Sequence, residues 1–265
     1  MSFSKISAPK AFVFDVFGTV VNWRQSLALS LEAAASSAIG EQQVSDNESV
    51  LIERVKNMTH TDWEWFASEW YSRYINFAHS AQPGVTDFLL QEEVHRRTLK
   101  LMISKYKFEG LWNAQQREDL VFLWHKLEAW PDSASAIARL AKHGPVITLS
   151  DGSVQLLHSL NDTNSLGFSE IWGSDTWAAY KPDPAVYEGA VAKLNLQPHE
   201  VALVAAHLGD LWAAKKCGLK AFYVERPFEE RYSPDEIEKA KLGGWVDMWV
   251  PYGNGGLHGV ADRLE

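Results

Sequence analysis

Four polar clusters in this sequence each follow a short apolar run, and together their side chains could carry out covalent hydrolysis. They are Asp15 with Thr19, Ser150 with Asp151, Lys181 in YKPDP, and His207 with Asp210. A carboxylate held in place is a competent nucleophile, and its attack divides one difficult displacement into formation and hydrolysis of an ester. A nearby lysine would keep that carboxylate ionised, and a second acid or a histidine would activate water.

Each cluster taken alone has an ordinary structural explanation. An aspartate at the end of a strand commonly caps a helix or forms a turn, Ser-Asp-Gly is typical of a turn, and a single lysine is usually solvated. The interpretation of the four clusters as one catalytic site is convincing only if the fold brings them together.

The surrounding pattern predicts that it does. The run AFVFD (11–15) reads as a buried strand entering a loop, and the later runs PVITLS (145–150), IWGS (171–174), VALVAA (201–206) and AFYV (221–224) alternate with predicted helices. Such alternation predicts a doubly wound, parallel α/β sheet. Ligands bind such sheets beyond the carboxyl ends of the strands, where all four clusters stand.

The segment from 23 to 127 differs from the rest. It has a helical pattern with breaks near Gly40, Pro83-Gly84 and Gly110, and we find no strand alternation in it. About a hundred residues of helix after a single strand predict an inserted helical bundle, which would form a cap. The last forty residues are less regular, and GNGG (253–256) is a predicted loop.

Composition narrows the class of protein. At 265 residues, the chain could form one large domain or a core with an insert. A formal charge of -9 argues against nucleic acid as a partner. The single Cys217, the absence of an apolar leader and the absence of a run of roughly 18 apolar residues favour a cytoplasmic protein without a membrane span.

The segments FDVFGTVVNWR, LSDGS, AYKPDPAVY and VAAHLGDLWAAKKCGL resemble the four successive motifs of the haloacid dehalogenase superfamily. The resemblance covers nearly the whole chain and is strongest to the type II 2-haloacid dehalogenase group. It implies a Rossmann-like core (1–20 and 129–265), a helical cap (21–128), an active site between them, and a possible homodimer. The substrate would be a small molecule, with 2-haloacids converted to 2-hydroxy acids.

The resemblance also implies roles for individual residues. Asp15 would be the nucleophile that forms an aspartyl ester, and Lys181 would keep it ionised and oriented. Asp210 would orient Lys181 or activate water, with His207 hydrogen-bonding nearby, and the sequence leaves the division of roles between Asp210 and His207 open. Thr19 and Ser150 would complete the catalytic set. The predicted substrate contacts are Phe17, Trp70, Tyr71, Asp151 and Tyr187.

Position 17 favours a halide over a phosphate. Phosphatases of this superfamily usually have a second aspartate there, which protonates the leaving alkoxide, whereas this chain has Phe17. A halide needs no proton. The segment GDLWAAKK also lacks the extra acid that often helps such phosphatases to bind magnesium. We therefore expect catalysis without a cofactor or metal, and Mg²⁺ only if the protein is a phosphatase.

Two positions depart from the dehalogenase pattern. Tyr71 follows Trp70 where the group usually has an arginine, and Asp151 stands where the group usually has an asparagine. At about 4 Å and an effective dielectric near 20, an ionised Asp151 would repel a substrate carboxylate by about 4 kcal/mol. Either Asp151 is protonated or turned away, or a compensating arginine exists, or the substrate is not a small haloacid. The candidate arginines are Arg24, Arg73 and Arg96.

Two other functions remain open at this point. The chain could be a hydrolase of the same fold that acts on a phosphoryl ester with magnesium or on a neutral electrophile. It could also be a catalytically silent binding protein, because fold does not determine function. The intact set of Asp15, Ser150, Lys181 and Asp210 argues against the silent protein.

Overall fold

The computed structural model of this chain describes residues 8–41, 46–82 and 84–265. The described residues form two compact units. One comprises the described residues up to Asn22 together with Glu128–Glu265, and the other comprises those within Trp23–Leu127. The functional division into a core (1–20 and 129–265) and a cap (21–128) stays a prediction.

The first unit is built on a parallel sheet of six strands in the order β3-β2-β1-β4-β5-β6. The strands are β1 (Ala11–Phe14), β2 (Val146–Leu149), β3 (Glu170–Trp172), β4 (Val201–Ala205), β5 (Lys220–Val224) and β6 (Met248–Val250). The strand order reverses between β1 and β4, which pair with Phe14 opposite Val204. The predicted α/β class with a doubly wound, Rossmann-like sheet is confirmed.

Helices occupy most of the rest of the described chain. They are α1 (Trp23–Glu41), α2 (Asp46–Lys56), α3 (His60–Ser80), α4 (Gln91–Tyr106), α5 (Ala114–Val121), α6 (Ser133–Leu140), α7 (Val154–Thr163), α8 (Pro184–Leu194), α9 (Leu208–Lys216), α10 (Pro234–Leu242) and α11 (Leu257–Ala261). None of the helices in the described ranges is long and apolar enough to cross a membrane.

The strands are apolar on both faces because helices cover the sheet. Every residue of β1, β2, β4 and β5 is buried. One core lies between the sheet and α8, α9 and α10, and it includes Tyr187, Leu211 and Ala240. Burial on both faces explains why these strands read as continuous apolar runs.

Strand β6 differs from the sequence-based expectation. It lies in the segment predicted to be irregular, yet Met248 pairs with Phe222 of β5. Three residues are too few to show a period, and the strand depends on hydrogen bonds from its neighbour. The predicted loop at 253–256 does fall outside regular secondary structure, as expected.

The regular secondary structure in the described part of the second unit is entirely helical, as its sequence pattern predicts. Helix α3 packs against α1 and α4. Helix α3 begins with a capping box in which Thr59 and Asp62 bind each other's backbone amides. Of the predicted breaks, Gly84 lies between α3 and α4, Gly110 follows α4, and α1 extends past Gly40. Pro83 is outside the described residues.

Candidate active site

The nucleophile predicted from sequence stands where β1 ends. The amide of Asp15 donates to the carbonyl of Val204 at 3.1 Å, so the pairing of β1 with β4 continues up to this residue. The chain then turns at Gly18, whose φ of +83° favours glycine. The Gly18 amide closes the turn by donating to the carbonyl of Val21 at 3.0 Å.

Side chains from distant parts of the unit hold this turn. The Trp130 indole donates to the carbonyl of Gly18 at 2.9 Å, and the Arg226 guanidinium donates to the carbonyl of Thr19 at 3.2 Å. Arg226 also pairs with Asp132 at 3.0 Å. Because these contacts satisfy the turn's backbone, the position of the carboxylate is set before any ligand arrives.

The Asp15 carboxylate accepts hydrogen bonds on both of its oxygens. Oδ2 accepts from the Thr19 hydroxyl at 2.6 Å and faces Nδ1 of His207 at 3.0 Å. Oδ1 accepts from Nζ of Lys181 at 3.3 Å. Burial alone would raise the pKa of Asp15, but the Lys181 cation and the His207 and Thr19 hydrogen bonds outweigh burial and lower it. Asp15 is therefore ionised.

The Lys181 ammonium lies between two carboxylates. It is 3.3 Å from Oδ1 of Asp15 and 2.6 Å from Oδ2 of Asp210. Burial disfavours its charge, but the two acids more than compensate and raise the pKa of Lys181. The other oxygen of Asp210, Oδ1, accepts from the Tyr187 hydroxyl at 2.6 Å. Lys181 thus stays charged and links the predicted nucleophile to Asp210.

His207 also lies between carboxylates. Its Nδ1 faces Asp15 and its Nε2 lies 3.3 Å from Oε2 of Glu229. Burial would lower the pKa of His207, yet its hydrogen bonds to Asp15 and Glu229 raise it to about 10. An imidazolium has no lone pair with which to accept a proton. This favours Asp210 over His207 as the group that activates water.

The Thr19 hydroxyl connects the ends of two strands. It donates to Asp15 and accepts from the Ala206 amide, directly after β4, at 2.8 Å. The site therefore lies at the reversal between β1 and β4, which is the usual ligand crevice of this fold.

The cluster of Ser150 and Asp151 contacts the site through the backbone of Lys181. Oδ1 of Asp151 accepts from the Lys181 amide at 2.8 Å. Burial raises the pKa of Asp151 to about 7, with the Lys181 cation opposing the rise. The hydroxyl of Ser150 accepts from the Gly152 amide at 3.3 Å, a bond within its own turn. Phe17 is buried and packs close to Gly152.

A family model for haloacid dehalogenase-like hydrolases matches residues 9–218, a span that contains Asp15, Thr19, Lys181, His207 and Asp210. The chain belongs to the haloacid dehalogenase-like hydrolases. The (S)-2-haloacid dehalogenase 4A of Burkholderia cepacia is 23% identical over 240 residues, which are 89% of this chain and 90% of that protein.

Solved structures agree with this assignment. A crystal structure of a defluorinating L-2-haloacid dehalogenase is 28% identical, with a TM-score of 0.78, and the match covers 97% of this chain and 95% of that one. The crystal structure of another L-2-haloacid dehalogenase is 25% identical, with a TM-score of 0.73, covering 97% and 100% of the two chains.

Two predicted substrate contacts of this haloacid dehalogenase-like hydrolase lie in the helical unit. Trp70 is fully buried, and its indole donates to the carbonyl of His95 at 3.2 Å and to the Thr98 hydroxyl at 3.1 Å. Tyr71 is 6% exposed and packs on the Trp23 ring at 4.4 Å between centroids. These contacts belong to the unit's aromatic core, and the roles of Trp70 and Tyr71 in substrate binding stay predictions.

The three arginines considered as compensating cations have partners within the same helical unit. Arg73 pairs with Glu69 at 2.8 Å, and Arg96 pairs with Glu93 at 2.7 Å. Arg24 donates to the Ser68 hydroxyl. Recruiting Arg73 or Arg96 for a substrate anion would require breaking an existing ion pair.

Glu229 is the residue of this hydrolase's network that sequence reasoning missed. It follows β5 in the segment ERPFEERY (225–232), within the part of the chain predicted to be irregular. The sequence does contain a pattern that indicates a site residue here, because these charged residues follow a parallel strand, as Asp15 follows β1. Applying the same rule to the end of β5 would have identified the segment.

Proposed function

We propose that this hydrolase displaces halide from 2-haloacids through an aspartyl ester on Asp15 and releases 2-hydroxy acids. One observation carries the proposal. Asp15 is a buried residue, 8% exposed, and its carboxylate is held ionised by Lys181, Thr19 and His207 at the switch point of the sheet. The names of the related (S)- and L-2-haloacid dehalogenases support the choice of substrate.

The hydrogen bonds of Asp15 distinguish its two oxygens. Oδ2 accepts at 2.6 Å from Thr19 and at 3.0 Å from His207, whereas Oδ1 accepts at 3.3 Å from Lys181. Oδ1 therefore has the more available lone pair and attacks the carbon that carries the halogen. A carbon–oxygen bond forms as the carbon–halogen bond breaks, and the halide leaves with the bonding pair.

Hydrolysis of the ester restores the enzyme. Asp210 takes a proton from water, and the resulting hydroxide adds to Cγ of Asp15. The bond between Cγ and Oδ1 then breaks, and Oδ1 leaves as the hydroxyl oxygen of the product, which takes up the carboxyl proton. Asp15 regains a carboxylate with one oxygen from water, and Asp210 releases its proton to solvent.

The residues around Asp15 suit a leaving group that needs neither acid nor metal. Phe17 has no proton to give an alkoxide. Lys181 bridges the carboxylates of Asp15 and Asp210, at 3.3 and 2.6 Å, where a magnesium ion would otherwise need them as ligands. In the part of the chain that the structure describes, no group of three or more His, Cys, Asp and Glu side chains is arranged to hold a metal ion.

In its neutral form, Asp151 is compatible with an anionic substrate. Its pKa of about 7 means that it is mostly protonated in mildly acidic solution. A protonated carboxyl group can donate a hydrogen bond, as the amide of an asparagine does. This corresponds to the first of the explanations that the sequence left open for this position.

The test measures halide release from 2-chloropropionate and bromoacetate, with and without EDTA, for the wild type and Asp15→Asn. We expect release that survives EDTA and is lost in the variant. A single turnover in ¹⁸O-labelled water should leave the label in Asp15. If folded protein releases no halide but hydrolyses phosphate esters with Mg²⁺, the proposal is wrong and the phosphatase alternative holds.

A further inference from the structure

Glu229 is a buried acid that the mechanism proposed above does not use. It is 4% exposed, and its Oε2 lies 3.3 Å from Nε2 of His207. Burying a carboxylate is costly unless it is paired and hydrogen-bonded. The His207 ring therefore has an acid at each nitrogen, with Asp15 on Nδ1 at 3.0 Å.

The nucleophile turn is shaped around this acid. A Cβ atom added to Gly18 would overlap the Glu229 carboxylate. The glycine thus serves two purposes, since its φ of +83° also forms the turn. The close approach places Glu229 directly against the loop that carries Asp15.

Residues on both sides of Glu229 are anchored. Arg226 binds the carbonyl of Thr19 at 3.2 Å and Asp132 at 3.0 Å. On the other side, Oε2 of Glu230 accepts from the Leu208 amide, in the first turn of α9, at 2.9 Å. The segment is therefore fixed to the nucleophile turn and to the helix that follows His207.

We propose that Glu229 is a positioning residue that holds His207 as an imidazolium with its Nδ1 proton fixed on Oδ2 of Asp15. His207 and Thr19 then stabilise the negative charge that forms on Oδ2 when water opens the ester. This inference rests on the proposed function and concerns its second step.

In that step the negative charge moves from hydroxide onto Oδ2 of Asp15. Attack of hydroxide on Cγ of Asp15 pushes the carbonyl π pair onto Oδ2, which already accepts hydrogen bonds from Thr19 and His207. Collapse returns that pair to the carbonyl and breaks the bond between Cγ and Oδ1. His207 gives up no proton in this cycle. Donors placed in advance on a developing oxyanion contribute strongly to catalysis.

The charges around His207 are consistent with this role. Asp15 and Glu229 favour the imidazolium from the turn after β1 and from the segment after β5. Lys181 neutralises Asp15 from the other side, and Glu229 also interacts electrostatically with Arg226. Glu230, on the far side of Glu229, binds the backbone at Leu208.

The first test follows the His207 imidazole by NMR, assigned with a His207→Gln variant, and needs no substrate. In the wild type we expect an imidazolium that persists well above neutral pH, and in Glu229→Gln a pKa that falls toward the ordinary histidine range. A neutral imidazole at pH 7 in the wild type, or an unchanged titration in the variant, overturns the inference. This result is independent of whether haloacids are substrates.

The second test is transient kinetics with a haloacid. Glu229→Gln should keep a stoichiometric burst of halide, lower kcat by about tenfold or more, and lower KM with it, because ester hydrolysis becomes limiting. The ester should be visible by mass spectrometry on the Asp15 peptide, and activity should decline at a lower alkaline pH than in the wild type. Glu225→Gln, whose side chain accepts from the Tyr252 amide, is the matched control and should behave as wild type. Loss of the burst would contradict the inference.

Discussion

The Lys181 ammonium lies 2.6 Å from Oδ2 of Asp210, closer than the 3.3 Å that separates it from the predicted nucleophile. The pair is buried, with 7% of the lysine side chain and 9% of the aspartate side chain exposed. Lys181 therefore holds two acids, and its removal would leave Asp210 without this counter-charge and Asp15 with His207 as its cationic partner.

We expect Lys181→Met to abolish halide release, because Oδ1 of Asp15 loses the cation that holds it in place and the pKa of Asp15 should rise. Breaking a buried ion pair should also lower the free energy of unfolding by about 3 kcal/mol, measured by urea denaturation. Lys193→Met is the control, since 47% of that side chain is exposed and its ion pair with Glu170 is long, at 3.9 Å. Retained activity in Lys181→Met would contradict the assigned role.

Asp151 should make haloacid binding depend on pH. Its pKa is raised to about 7, so the neutral form predominates below that pH and the anion above it. Because the anion repels a substrate carboxylate, KM for 2-chloropropionate should rise with pH above about 7, approaching tenfold per pH unit. Asp151→Asn should remove this rise.

The uncharged 2-chloropropionamide provides the control for that measurement. If the enzyme accepts it, its KM should be insensitive to pH in the same range for both proteins. A wild-type KM for the haloacid that stays flat up to about pH 9 would mean that Asp151 does not face the substrate.

Gly18→Ala should separate backbone strain from displacement of Glu229. Gly18 and Gly167 both have positive φ, +83° and +76°, but an added Cβ meets the Glu229 carboxylate only at Gly18 and meets nothing within 4 Å at Gly167. Backbone strain should lower the free energy of unfolding by about 1 kcal/mol in each variant, and displacement of the buried Glu229 carboxylate should lower it further in Gly18→Ala. Only Gly18→Ala should also lower kcat, so equal kcat values in the two variants would argue against a catalytic role for the glutamate's position.

Tyr187→Phe should slow the hydrolysis of the ester more than its formation. The lost hydroxyl donates to Oδ1 of Asp210 at 2.6 Å, and without it the base would be less well oriented. We expect kcat to fall by about five- to tenfold, the equivalent of one hydrogen bond, while the burst of halide is retained. Rapid-quench measurement of halide and product makes the comparison, and equal slowing of both steps would assign Tyr187 to substrate positioning instead.

The sequence was sufficient for the parts of the molecule with a strong pattern. Apolar strands predicted the sheet, and the polar residues after them predicted the network of Asp15, Thr19, Lys181, His207 and Asp210. The missed parts have weak local signals. Strand β6 is three residues long and depends on β5 for its pairing. The position of ERPFEERY after β5 could have identified the segment that contains Glu229, but which of its acids contacts His207 depends on the tertiary fold.

The hydroxyl of Thr19 has consequences for any attempt to graft this chemistry onto another protein. It has a single proton, and because the Ala206 amide occupies one of its lone pairs, that proton is directed at Asp15. The orientation is therefore encoded in the backbone of the neighbouring strand and not in the loop that contains the threonine. A peptide copying residues 15–21 would lose this orientation of the hydroxyl. A graft would therefore need at least two adjacent parallel strands with their register preserved.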